Sequence, residues 1–322
     1  MAPNRHLDQR LKLHHFRAVD AIEAHGSLLK AAALSVTQPA LSKSLHEAED
    51  VLQVKLFDRH PRGVKPTAAG AAVVDVARRM LAQLRRLEET LDTFSSPSRG
   101  TLALRVLPVA AAGVLPGVLT RLKALEPAIR IRLEQGRTED LLPLLAAGEI
   151  DLIVGRLYEP AIPDGFEREA LWAEPISALA RAGHPIFLRP KIEVDDLARY
   201  DLVLPAVTQR VGQEIDRLLE RLGLAATTSY RSSSYGFIRE MLHGGDFLSI
   251  MPRLMMVGDL LRGTLRLVPL PIPSPERPAG LIRPRDRAPP PTARVFIEVL
   301  RGYVGELAER GLADITVGTS ER

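Results

Sequence analysis

The run Thr37-Gln38-Pro39-Ala40-Leu41-Ser42-Lys43-Ser44-Leu45-His46-Glu47-Ala48-Glu49 sorts its side chains by chemistry at helical spacing. Leu41, Leu45, Ala48 and Leu52 share one face, as a helix docked on a core requires. Gln38, Pro39, Ser42, Lys43 and His46 share the other, concentrated at the N-terminal end. That end of a helix carries exposed amides and the positive end of the dipole, which suit phosphates and base edges. Gln can pair bidentately with adenine, Ser serves base or phosphate, and Lys takes guanine or phosphate. An amphipathic helix with a merely solvated polar face would show the same pattern, so the neighbouring elements decide.

The stretch Val54 to Pro66 is interrupted by a turn at Pro61-Arg62-Gly63 and flanked by two short extended pieces. Its four basic residues, Lys55, Arg59, Arg62 and Lys65, stand against the single acid Asp58. A two-stranded basic wing fits. Upstream, Leu13, Phe16, Val19 and Ile22 form one apolar stripe that closes at Gly26. Ser27 can cap a short helix through Leu34, and Thr37 another to about Val51. Two short helices joined by a tight turn have helix-turn-helix spacing.

Thr67 then caps a long helix through about Phe94. Val73, Ala77, Met80, Leu84, Leu87, Leu91 and Phe94 recur in alternating steps of four and three, the repeat of a coiled-coil seam. Arg78, Arg79, Arg85, Arg86, Glu88 and Glu89 occupy the outer positions. Ser95-Ser96-Pro97-Ser98-Arg99-Gly100 reads as a linker. Beyond it strands and helices alternate in two sets, which predicts two α/β lobes with mainly parallel sheets and a ligand cleft at the strand ends. Strands are expected at Thr101–Leu107, Ile129–Glu134, Asp151–Gly155, Ile176–Ala180, Asp201–Leu204, Thr228–Arg231 and Phe247–Met251. The nine prolines between Pro269 and Pro291 predict extended connections, and the tail after Gly311 reads as frayed.

The chain has 322 residues, 46% of them apolar and none of them cysteine. That length allows two or three domains with cores of their own. Without cysteine there is no disulfide framework, thiolate metal site or thiol nucleophile. The net charge of +4 is small, and its position matters more than its size. Residues 1–95 hold 14 Lys/Arg against 11 Asp/Glu, and residues 96–322 hold 29 against 28. The longest uncharged apolar run, Val106 to Leu119, is broken by Pro108 and Pro116 and too short to span a bilayer. A soluble cytoplasmic protein without membrane contact is expected.

Gly26-Ser27, Ala31, Leu34, Val36, Thr37-Gln38-Pro39-Ala40-Leu41-Ser42, Glu49, Leu52, Val54, Leu56-Phe57-Asp58-Arg59, Arg62-Gly63 and Thr67-Ala68-Ala69-Gly70 together resemble the LysR-type transcriptional regulators. The likeness continues through Leu115-Pro116, Glu126-Pro127, the phrase Leu144 to Leu152, and Met251-Pro252. The resemblance implies an all-α winged helix-turn-helix (1–66), a linker helix for dimerisation (67–95) and an α/β two-lobed effector domain like type 2 periplasmic binding proteins (100–310). A tail (311–322) completes the chain. It implies promoter DNA, RNA polymerase and a small-molecule effector as partners, in a homodimer or homotetramer.

By the same resemblance Thr37, Gln38, Pro39, Ser42 and Lys43 meet the major groove, and Arg59 and Arg62 the backbone or minor groove. From Ser27 to Gln38 the chain is one residue shorter than the family spacing, and a deletion inside a helix rotates every later residue of that helix by about 100°. The family's first strand-to-helix turn commonly offers a hydroxyl to a ligand carboxylate. Here that turn, Pro108 to Gly113, has none, which leaves backbone amides at Ala110 and Ala111. Arg156 and Arg210 are candidates for a bidentate grip on a carboxylate, with Thr208 and Ser233 adding neutral hydrogen bonds. The branch that looks most similar includes regulators of protocatechuate catabolism and of sugar-binding-protein genes. It points to an aromatic-derived acid or a sugar as effector.

No cofactor or metal is expected. His46 and Glu49, one turn apart, could hold a metal, but a solvated helix face suits them better. Gly244-Gly245 follows a helix rather than a strand, which does not match a nucleotide-binding loop. No nucleophile elbow is present, so an enzyme is not expected. A solute-binding or cleft-enzyme α/β protein with a helical oligomerisation segment is the alternative.

Overall fold

Buried apolar side chains gather in three clusters: one around Leu41 and Ile22, one around Leu104 and Phe296, and one around Leu204 and Met251. The structure is a computed structural model that describes residues 7–27, 37–60, 63–95, 100–158, 164–206, 210–224, 228–274 and 277–315. The chain divides into two units, Met1–Gly100 with Leu142–Ile150, and Thr101–Leu141 with Asp151–Arg322.

In the first unit, α1 (Leu7–Arg10), α2 (Leu13–His25) and α3 (Gln38–Leu52) precede the strands β1 (Phe57–His60) and β2 (Gly63–Pro66). The long helix α4 (Ala68–Ser95) comes next. α2 ends because Gly26 takes the left-handed conformation (φ 58°), which glycine adopts without a Cβ penalty. The Gly26 carbonyl then accepts the Val64 amide at 2.9 Å, tying the end of α2 to the hairpin. β1 and β2 pair antiparallel from Phe57↔Pro66 to His60↔Gly63. The Thr67 hydroxyl caps α4 as expected, accepting the Gly70 amide at 3.0 Å while donating to the Lys55 carbonyl at 2.8 Å. The short helix expected to begin at Ser27 and the wing turn at Pro61-Arg62 lie outside the described residues.

The second unit has two lobes. β3 (Thr101–Val106) leads through α5 (Pro108–Ala112) and α6 (Val114–Leu125) to β4 (Arg130–Gln135), and α7 (Thr138–Ala147) leads to β5 (Leu152–Arg156). β6 (Phe166–Ala173) then crosses to β7 (Ile176–Arg181) in the second lobe. That lobe continues with α8 (Val194–Leu197), β8 (Leu202–Pro205), α9 (Arg210–Arg221), β9 (Thr228–Ser232), α10 (Tyr235–Gly244) and β10 (Ser249–Pro252). α11 (Val257–Arg262) and β11 (Leu265–Leu267) precede the return crossing into β12 (Pro278–Pro284), α12 (Pro291–Glu309) and β13 (Asp314–Ile315).

The sheets are mixed rather than mainly parallel. The six-stranded order is β13-β6-β12-β5-β3-β4, with β3 parallel to β4 and β5. β12 runs antiparallel to β5 and β6. In the second lobe β10-β7-β11 is antiparallel, and β8 and β9 are parallel. The two-residue passage Glu174-Pro175 carries the chain directly from β6 of the six-stranded sheet to β7 of the second lobe's sheet.

Three further departures have local causes. The sequence reading assigns no strand to Phe166–Ala173, whose charged and apolar residues interleave irregularly and are mostly half-buried. Within the proline-rich run, Pro278 and Pro284 stand at the ends of β12, the strand positions that tolerate proline best. Pro291 opens α12, where the missing N–H costs nothing. The buried stripe Ala293, Phe296, Ile297, Leu300, Tyr303, Val304 and Leu307 makes α12 a core helix of the first lobe. The tail is not wholly frayed, since Asp314 and Ile315 pair with Ala173 and Trp172 of β6.

Candidate functional site

Two regions bring candidate residues together, one in each unit. In the first, α3 buries Leu41, Leu45, Ala48, Val51 and Leu52. Thr37, Gln38, Pro39, Lys43 and His46 are exposed, and Ser42 is half-buried. Thr37 holds the N-cap position with an extended backbone, and its side chain makes no capping hydrogen bond. Glu49 accepts the Leu56 amide at 2.7 Å and so ties the C-terminal part of the helix to the wing entry. Arg59 lies on β1 between Asp58 and His60, and Arg62 lies outside the described residues. The arrangement is an amphipathic helix anchored by its apolar face, presenting amide, hydroxyl and ammonium groups from its first two turns.

The His46/Glu49 pair does not converge. His46 faces Asp50 at 3.6 Å, while Glu49 is engaged with Leu56. A different cluster, His14, His15 and Glu47, brings three metal-type ligands together among the described residues. Its hydrogen bonding opposes a metal. His15 Nδ1 accepts the Lys12 amide at 3.1 Å, so the proton resides on Nε2, which donates to Glu47 at 3.3 Å. A metal on Nε2 would need that proton moved to Nδ1, against the amide. The His15 hydrogen bond instead holds the Glu47 carboxyl below its ordinary value.

In the second unit a cavity of about 610 Å³ opens between the lobes. The first lobe supplies Leu107, Pro108, Val109, Gln135, Arg137, Thr138, Glu139, Asp140, Arg156 and Tyr158; the second supplies Arg210, Val211, Gln213 and Tyr235. Arg277, from the return crossing, completes the wall. Arg156 and Arg210 are thus brought together, with their guanidinium carbons 5.6 and 4.5 Å from the Tyr158 ring. Arg210 also pairs with Glu139 at the start of α7.

Other expected residues lie elsewhere. Ala110 is fully buried in the core of the first lobe. The Ala111 amide is spent on the Leu107 carbonyl at 3.1 Å, because α5 begins at Pro108 and draws that amide into a helix. Pro108 and Val109 form the wall in their place. Ser233 is exposed and does not line the cavity, whereas its neighbour Ser234 caps α10 by accepting the Phe237 amide at 3.2 Å. Thr208 lies outside the described residues.

Behind the cavity is a buried charge cluster. Glu174 is fully buried and Arg277 is 2% exposed. Arg277 Nη2 stands 3.9 Å from Glu174, and Nη1 pairs with Glu214 of α9. Burial pushes the Glu174 carboxyl up to about 7 against the pull of Arg277 and Arg156. Burial, helped by repulsion from Arg156, lowers Arg277 to about 10. Tyr235 is pushed up to about 12, chiefly by burial and then by Glu174. Sequence reasoning overlooked Arg137, Thr138, Tyr158 and Arg277. The first two lie just beyond β4 and were findable by the rule that ligands gather at strand ends, but Arg277 is hidden among prolines.

Two family descriptions match the chain: "LysR substrate binding domain" over residues 95–305 and "Bacterial regulatory helix-turn-helix protein, lysR family" over residues 13–71. Among curated relatives, the HTH-type transcriptional regulator PcaQ of Agrobacterium fabrum is 28% identical, the match covering 94% of this chain and 97% of that protein. GalR of Pseudomonas putida is 27% identical over 94% of this chain and 75% of its own length. Among solved structures, a full-length OxyR variant from Pseudomonas aeruginosa superposes with a TM-score of 0.62 at 24% identity, covering 91% of this chain and 94% of that one. Full-length CbnR complexed with its target DNA gives 0.61 at 20% identity, covering 91% of this chain and all of that one.

Proposed function

Since the chain belongs to the LysR family of DNA-binding transcriptional regulators, we propose that α3 reads promoter DNA and that the cleft of the second unit takes the small-molecule effector. The observation that carries this reading is the division of α3, with Leu41, Leu45 and Ala48 buried, Gln38 and Lys43 exposed, and Ser42 half-buried beside them. Gln38 and Ser42 supply base-edge hydrogen bonds, and Thr37 and Lys43 supply phosphate contacts. Arg59 and Arg62 of the wing reach the backbone or the adjacent minor groove.

On this reading residues 1–66 form the winged DNA-binding domain, 67–95 the dimerising linker helix and 100–310 the effector domain. Paired copies, as dimer or tetramer, span two half-sites, and a change in the cleft alters how the DNA is bent before RNA polymerase. The work takes place in the cytoplasm. Among the described residues no helix is long and apolar enough to cross a membrane.

Gel shifts with DNA from the protein's own upstream region test the reading. Specific binding that survives competition by random DNA at moderate salt is expected. Binding that random DNA abolishes at equal concentration would remove the assignment of α3 as a sequence reader.

A further inference from the structure

Arg210 and Glu214 lie one turn apart on α9, and each pairs with a group from outside that lobe. Arg210 meets Glu139 of the first lobe, and Glu214 meets Arg277 at the crossing. Arg277 is nearly fully buried yet lines the cavity, and its Nε has no hydrogen-bond partner among the described residues. The deepest cation of the cleft therefore already holds a carboxylate, and that carboxylate belongs to the protein.

We propose that the effector is a small organic carboxylate whose own carboxylate group takes the place of Glu214 on Arg277. This rests on the reading of the cleft as the effector site. Charge supports the class: the wall carries Arg137, Arg156, Arg210 and Arg277 against Glu139 and Asp140. The identity of the resident partner narrows it further. A planar carboxylate matches the guanidinium fork in two parallel hydrogen bonds, and Glu214 places a carboxylate directly against Arg277. The rest of the wall suits an apolar or flat body, with Leu107, Val109, Val211 and the rings of Tyr158 and Tyr235. A neutral sugar has no charge to offer in exchange and leaves the Arg277–Glu214 pair intact. Exchange also has a mechanical result: α9 loses its link to the crossing while the ligand gains it.

Titration calorimetry on the full chain tests this with benzoate, succinate, inorganic phosphate and galactose. Wild type is compared with Glu214→Gln, Arg277→Lys and the cavity-filling Val211→Trp. Benzoate or succinate is expected to bind, and Glu214→Gln to tighten it about tenfold by removing the internal competitor. Arg277→Lys loses the fork and should weaken it by a similar factor. Carboxylate binding that Glu214→Gln leaves unchanged or weakens overturns the proposal, as does stronger binding of phosphate. So does no heat from either acid at about 10 mM, a concentration that would report even millimolar affinity. Galactose binding that Val211→Trp blocks and Glu214→Gln spares removes the carboxylate class but leaves the cleft as the effector site. Binding of any probe that Val211→Trp does not touch counts against the cleft itself.

Discussion

Glu174 and Arg277 face each other at the two points where the chain passes between lobes. The Glu174 amide donates to the Arg277 carbonyl at 2.9 Å, and their side chains stand 3.9 Å apart with almost no exposure. A buried ion pair is poor evidence for stability, because desolvation offsets much of the attraction. Its value here is positional. Both crossings are clamped side by side, and Arg277 of the clamp lines the cleft, so a ligand that touches Arg277 touches the crossing itself.

The clamp predicts a pH dependence of stability. Burial raises the Glu174 carboxyl from 4.5 to about 7 in the folded chain. Between those values the folded state keeps a proton that the unfolded state has released, so stability falls as pH rises through the window. Glu174→Gln removes this contribution. Denaturant unfolding of both proteins at pH 5 and pH 8 should show the variant gaining relative to wild type at the higher pH. A difference between the two that does not change with pH would contradict the assignment.

On DNA, Gln38→Ala or Ser42→Ala should relax the choice at one base pair by about 1–3 kcal/mol. Lys43→Ala should weaken specific and random DNA alike and lower the salt slope by about one. Equal losses on both kinds of DNA for Gln38→Ala would place that side chain on the backbone.

The amphipathic division of α3 was legible because its information is local: a 3.6-residue period, a capping position and a polar cluster at one end. The cleft was legible only in outline. Arg156 and Arg210, which line the cavity, stand out in the sequence because one ends a strand and the other opens a helix, but Arg277 and Glu174 meet across about a hundred residues of chain, and no spacing records that. The amide expected to be open at Ala111 is engaged for a different reason. A six-residue turn without hydroxyls looks like an open loop, yet Pro108 starts a helix there and Leu107 takes up the Ala111 amide. Among its described residues the proline-rich run is extended up to Pro290, as expected, and Pro291 at its end opens α12.

Two glycines in helices should respond oppositely to alanine. A Cβ on Gly70 would collide with the Leu56 carbonyl oxygen, a backbone atom that cannot step aside. Gly70→Ala should therefore push α4 off the wing entry and cost about 1–3 kcal/mol, despite alanine's better helix propensity. Gly302 on α12 is exposed and has nothing within 4 Å of its would-be Cβ. Gly302→Ala should stabilise by up to about 1 kcal/mol. Thermal melts of the pair decide this, and the same sign for both would show that the tight approach at Gly70 is not constraining.

The apolar seam of α4 divides in the single chain: Ala77 is fully buried, Leu84 is half-buried, and Met80, Leu87 and Leu91 stay 44, 52 and 54% exposed. Near the start of the helix, Val76 and Met80 join Leu7, Leu11, Phe16 and Leu52 around an open apolar groove of about 430 Å³. Exposed apolar side chains in heptad register along one face of a 28-residue helix have the spacing a second helix would pack against. Because Leu87 and Leu91 contribute little to the core of their own chain, Leu87→Asp with Leu91→Asp should leave the fold intact. Their charges would instead face each other across the paired helices. Sedimentation velocity should show the double variant as a smaller species than wild type, with an unchanged circular dichroism spectrum. A double variant that sediments like wild type would mean that α4 is not the dimer seam.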